Sequence, residues 1–96
     1  MFARTTIAQF YPGTTDEALY ILKDIMLPRA REQRGFKDAL ILRHPEKDQG
    51  IIITLWETET DLLESQPPEE IRLDVERLGE LISEETLQDT YEVFFH

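Results

Sequence analysis

The chain's single tryptophan, Trp56, closes the run Ile51-Ile52-Ile53-Thr54-Leu55-Trp56. A flat ring with one N–H can stack on a planar ligand and donate a hydrogen bond to it, and the same ring can equally plug the space between a sheet and its helices. Alternation along a strand puts Trp56, Thr54 and Ile52 on one face and Ile51, Ile53 and Leu55 on the other, so a pocket beside the indole belongs to the Trp56 face, expected to be the helix-covered one. In the first segment, Arg4, Thr6, Ala8 and Phe10 share a face by the same alternation. Small Thr6 and Ala8 leave room there, for a ligand or for ordinary packing under a helix. Arg43 and His44 end another apolar run, where an imidazole could act as a base near neutral pH and a guanidinium could hold an anion. An exposed strand end explains both more simply. The acid pairs Glu57/Glu59 and Glu69/Glu70 could hold a divalent cation, but the favourable interaction of acids with a helix N-terminus accounts for them without a metal.

The remaining chemistries lack their residues. No cysteine is present, which removes thiolate catalysis, disulfides and cysteine-bearing metal sites. Ser65 and Ser83 have no glycine-rich elbow or recognisable base beside them, nothing pairs Tyr11, Tyr20 or Tyr91 with a base, and His96 is the final residue, prone to fraying. With four glycines in the chain there is no phosphate-cradling loop. No metal site and no cofactor are expected from the residues themselves. A formal charge of −10 repels a nucleic-acid backbone or an anionic membrane surface. Most of that charge lies in residues 57–96, with thirteen acids against two bases, whereas residues 1–56 are nearly balanced, with seven against eight. No apolar run approaches the roughly 20 residues of a membrane span, and no signal-like start is seen, so a cytoplasmic location is expected. At 96 residues the chain has material for one core, a single domain over residues 1–96.

The elements that would position Trp56 and Arg4 follow from periodicity. Phe2–Tyr11 reads as a strand ended by Pro12-Gly13. Thr14-Thr15-Asp16-Glu17 fits a capping box, and Ala18, Leu19, Leu22, Ile25 and Met26 form a helical stripe running to about Arg34, with a kink or break near Asp24 caused by Pro28. Phe36–His44 and Ile51–Trp56 suit two strands of a hairpin. Thr58-Glu59-Thr60-Asp61 resembles a second capped start, Pro67-Pro68 can restart a helix, and Ile71, Val75, Leu78 and Ile82 stripe that helix. Asp89–His96 reads as a last strand with Tyr91, Val93 and Phe95 on one face. The order β-α-β-β-α-β is that of the ferredoxin-like α+β fold, a four-stranded antiparallel sheet with helices on one face. The unalternating Ile51-Ile52-Ile53 implies that both faces are covered. Ile7, Ile51, Ile53, Leu55, Tyr91, Val93 and Phe95 are expected on the helix-free face, and a twofold-related second copy is the natural cover for them.

Four stretches carry a family resemblance: Arg34-Gly35-Phe36, the strand ALIL at 39–42, ITLWETETDLL at 53–63 and DTYEV at 89–93. In element order and in the tryptophan that precedes an acidic, threonine-bearing helix start, the chain resembles the antibiotic biosynthesis monooxygenase (ABM) domain superfamily, closest to its small stand-alone members. The resemblance implies a dimeric α/β barrel. It also implies candidate pocket positions: Trp56, Thr6 at the first-strand position where haem-degrading members carry asparagine, and Gln66 where they carry the iron-ligating histidine. Matching Thr6 to the pocket brings Arg4 and Phe10 with it, while Arg43 and His44 remain weaker candidates.

Two of the three haem-associated positions therefore differ, and glutamine is a poor iron ligand beside imidazole. The asparagine that aromatic-polyketide oxygenases place before the tryptophan is also missing, since Ile52 and Ile53 stand there. What the resemblance implies is thus a possible cofactor-independent monooxygenase acting on a small aromatic or quinol-like substrate. The alternative is a non-catalytic small-ligand-binding or structural homodimer, and haem degradation comes third.

Overall fold

The computed structural model describes all of residues 1–96. Its elements are β1 (Phe2–Gln9); a helix α1 built of α-helical Thr15–Tyr20, a π-helical stretch Ile21–Met26 and α-helical Leu27–Ala30; β2 (Phe36–Arg43); β3 (Gln49–Trp56); α2 (Glu59–Glu64); a 3₁₀ turn Glu69–Ile71 leading into α3 (Arg72–Leu81); and β4 (Leu87–Glu92). The four strands form one antiparallel sheet in the order β2-β3-β1-β4, the ferredoxin-like α+β arrangement that the element order predicts.

Pairing fixes which residues share a face. Arg4 lies opposite Thr54 and Thr6 opposite Ile52, with Ala39 and Ile41 of β2 beside the same two β3 residues. These side chains face the helices. At one end of this covered face Ala8, Phe10, Ala18, Ile21, Leu78 and Leu81 form the buried core. Gly50 packs closely there: a Cβ on it would stand 3.3 Å from the Phe10 ring, which would have to give by a few tenths of an ångström.

The two helix starts differ from one another for a reason visible in the backbone. Thr58 is extended (φ −131°, ψ 161°), and its hydroxyl accepts from Asp61 N–H, as the sequence predicts. Thr14 has φ −107° and ψ −2°, which aims its hydroxyl away from the helix, and it donates to Tyr11 O at 2.7 Å. The capping box at Thr14 does not form, since that cap needs extended backbone at the threonine. Glu17, its expected partner, is held by Arg77 instead.

Pro28 neither breaks nor splits α1. Having no N–H, it cannot satisfy the carbonyl four residues back. The ladder widens ahead of it, with Leu27 N–H bonding to Leu22 O, five residues back, and the helix continues to Ala30 rather than to Arg34. The last strand also departs from expectation. It spans Leu87–Glu92, so Val93 and Phe95 lie beyond the sheet, and Phe94 and Phe95 are exposed.

The helix-free face carries Ile7, Ile51, Ile53, Leu55 and Tyr91 as expected, joined by Leu40 and Leu42 of β2 and Leu87 of β4 through the pairings Leu40↔Ile53, Leu42↔Ile51 and Ile7↔Leu87. Nothing within the chain covers it: Leu40 is 58% exposed, Leu87 67% and Tyr91 55%. No helix is long and apolar enough to cross a membrane.

Candidate ligand-binding cleft

Under the helices, adjoining the core and sharing Leu78 with it, the layers part to leave a cleft of about 240 Å³. Its sheet wall is Arg4, Thr6, Ile41, Ile52, Thr54 and Trp56; α1 contributes Leu22, Met26, Leu27 and Ala30; the linker Ser65–Pro68 and Ile71 close the far side. The volume exceeds the roughly 150 Å³ of an apolar cavity that accepts benzene, so a one- or two-ring molecule fits.

Trp56 anchors one end. Only 2% of its surface is exposed, its ring meets the edge of Phe36 at 5.5 Å between centroids, and its Nε1 donates to Thr54 Oγ1 at 2.9 Å. The indole N–H is therefore spent inside the protein. Thr54 accepts that bond, which leaves its own O–H as the donor on this wall. Thr6 is in the same condition, because its oxygen accepts from Gln88 Nε2 at 3.1 Å.

Arg4 supplies the cleft's charge. One of its terminal nitrogens donates to Leu62 O at 2.9 Å and the other to Ser65 Oγ at 3.1 Å, so it steadies the C-terminal end of α2 and the linker after it. Burial pushes its pKa below the ordinary arginine value, the expected effect of removing a cation from water. Across the mouth, Gln33 grips the backbone of Gln66 from both sides: Nε2 donates to Gln66 O at 2.9 Å, and Gln66 N–H donates to Oε1 at 3.2 Å.

The structure thus brings Arg4, Thr6, Trp56 and Gln66 to one cleft. Phe10 is not among them. Four residues beyond Thr6 on an extended chain is about 13 Å, and its ring is buried in the core, 1% exposed. Arg43 and His44 lie at the hairpin end of the sheet and line a separate hollow of about 220 Å³. Arg43 pairs with Asp16 at 2.6 Å, and His44 Nδ1 accepts the backbone N–H groups of Glu46 and Lys47 at 3.0 and 3.1 Å, which makes it a turn-former. Thr54 was legible by alternation and Leu22 and Met26 by the helical stripe. Gln33 gave no signal in the sequence, since its role depends on a residue 33 positions away.

A haem ligated by imidazole does not fit these residues. Neither histidine reaches the cleft, and the residue at its rim is Gln66, whose backbone is already committed to Gln33.

Against solved structures, the fold is shared with ABM domain proteins over the whole chain. A Nitrosomonas europaea protein assigned as an antibiotic biosynthesis monooxygenase superposes with a TM-score of 0.85 at 10% identity, covering 99% of this chain and 100% of that one. SnoaB, a cofactor-independent oxygenase from Streptomyces nogalater, superposes at 0.81 and 14% identity over 99% and 94% of the two chains. A Deinococcus radiodurans protein assigned to the same monooxygenases gives 0.80 and 12% over 100% and 95%. No family model matches the sequence, and no curated protein does. At such identities the likeness is one of fold.

Proposed function

We propose that the protein is a cofactor-independent monooxygenase, a cytoplasmic homodimer whose cleft takes a small aromatic, quinol-like substrate. The observation that carries this reading is the composition of the cleft wall. It is an apolar slot bounded by an indole, with guanidinium and hydroxyl donors on the sheet side and no carboxylate, imidazole or thiol. Such a wall can orient a flat molecule and stabilise charge on its oxygens, while the reducing power comes from the substrate. The keto tautomer of such a quinol carries a ring methylene, and when that methylene becomes a carbonyl it gives four electrons to O₂; one oxygen atom stays on carbon and the other leaves as water with both hydrogens. In this scheme Trp56 provides a face for the ring, and Arg4 and Thr6 set its orientation. The shared fold with SnoaB supports the same direction.

The exposed apolar face of the sheet supports the homodimer, because a contiguous patch holding Leu40, Leu42, Leu87 and Tyr91 is costly to leave in water. Native mass spectrometry reads subunit number and any retained small adduct together, and a monomer would refute the covering copy. Oxygen uptake with a panel of aromatic quinols tests the chemistry. Uptake above the buffer rate for at least one member is expected, and uptake at the buffer rate for all of them refutes it. A binding-only role is the second reading, favoured by the lack of any side chain in the cleft that could take a proton from the substrate.

A further inference from the structure

The cleft wall has an electrostatic bias. The chain carries 20 acids, yet none of them lines the cleft. Of its ten bases, Lys23, Arg29, Arg34, Lys37, Arg43, Arg72 and Arg77 each pair with a carboxylate. Arg31 and Lys47 are exposed to water. Arg4 alone is half-buried without an acid. In a chain with two acids for every base, a partly desolvated cation left with neutral partners is an unusual arrangement, and such a charge is stabilised most by an anion brought to it.

Donor accounting points the same way. A guanidinium has five N–H donors, and Arg4 uses two, on Leu62 O and Ser65 Oγ. Both of those acceptors are neutral. Thr6 and Thr54, on the same wall, each accept a bond from a neighbour and keep their hydroxyl hydrogens available. The polar side of the cleft is therefore rich in donors with little to receive them, which matches a ligand whose oxygens are acceptors only.

We infer that the cleft selects an anionic aromatic, a one- or two-ring molecule bearing an ionised carboxylate or phenolate, and that Arg4 is the residue that reads the charge. This rests on the cleft being the ligand site and goes beyond it by fixing the charge of the ligand. A structural role for Arg4, holding the end of α2, uses only the two bonds already named and does not require the acid-free wall.

Matched probes that differ only in charge, 2-naphthoate and 2-naphthamide, test it, with quenching of Trp56 as the readout. The wild-type protein is expected to bind the carboxylate roughly tenfold or more tightly than the amide, the usual range for a charge-assisted bond over a neutral one. In Arg4→Gln that ratio is expected to fall to about one, chiefly through weaker carboxylate binding. Because this variant also loosens α2, a second readout uses the wild type alone: the Arg4 Nε–H resonance should shift on adding 2-naphthoate and not on adding 2-naphthamide. Equal binding of both probes, a preference that survives in folded Arg4→Gln, or an unmoved Arg4 resonance at saturation overturns the inference and leaves the cleft intact as a binding site. Binding of neither probe overturns both.

Discussion

Trp56 and Thr54, two residues apart on β3, point to the same face and are joined by the indole N–H donating to the threonine oxygen at 2.9 Å. That bond turns a buried polar atom from a liability into an anchor for the closed end of the cleft. Thr54→Val leaves the Trp56 N–H buried without an acceptor, which costs about 1–3 kcal/mol. Trp56→Phe removes the donor and part of the packing, at a comparable or larger cost. In the double variant the N–H is gone, so the valine should add little, less than about 0.5 kcal/mol beyond Trp56→Phe. Urea unfolding followed by circular dichroism measures the cycle; full additivity would show that the bond contributes nothing.

The strand alternation that placed Trp56, Thr54 and Ile52 beneath the helices was legible because a period of two leaves only two faces to choose between. The same rule put Phe10 with Thr6 on one face, which is true, but alternation carries no information about distance along the strand, and Phe10 belongs to the adjoining core. Thr14 and Thr58 are alike in sequence, each followed by acids, and differ only in backbone geometry set by what precedes them. Pro28 announced a disturbance without saying how the helix would absorb it; one wide turn costs less than a break when Leu22 and Met26 must still reach the sheet. The Gln33 bracket and the unpaired state of Arg4 arise from contacts distant in sequence. No local pattern encodes them.

Gly13 and Gly35 both have positive φ, 84° and 81°, but their surroundings differ. A side chain at Gly13 would enter open space, whereas one at Gly35 would overlap the Asp61 side chain. Gly13→Ala should therefore lose only the backbone preference, about 1–2 kcal/mol. Gly35→Ala should lose that and also displace Asp61 from its contact with Arg34. Thermal unfolding of the two variants side by side gives the comparison. Equal losses would mean that Asp61 moves aside freely.

Gln33 holds the cleft's outer lip through two hydrogen bonds to the Gln66 backbone. A side-chain bond to backbone of this kind is worth about 0.5–1.5 kcal/mol net, too little to threaten the fold and enough to change local opening. Gln33→Ala should lower the melting temperature by several degrees while leaving the protein folded, about 4–8 °C for each kcal/mol lost in a domain of this size, and speed amide exchange at Gln66 from a few-fold to roughly tenfold. Exchange at Trp56, paired within the sheet, serves as the internal reference. An unaltered Gln66 rate would show that Pro67 and Pro68 stiffen the lip without help from Gln33.

Arg77 on α3 grips the Glu17 carboxylate on α1 with two bonds, 2.7 and 3.0 Å. The hydrogen bond, more than the bare charge, holds the Glu17 pKa below the usual carboxylate value of 4.5. Lys37 does the same to Glu57. A carboxyl whose pKa is depressed by folding adds stability above its unfolded pKa and loses it as pH falls through the depressed value. Wild type should therefore lose stability steadily below pH 4.5. Arg77→Met, which keeps most of the stem, should be less stable than wild type at neutral pH and should converge on it in strong acid, where Glu17 is protonated in both. Melting temperatures across that range decide the matter: a gap that persists in acid would mean that Arg77 joins the two helices by packing rather than by charge.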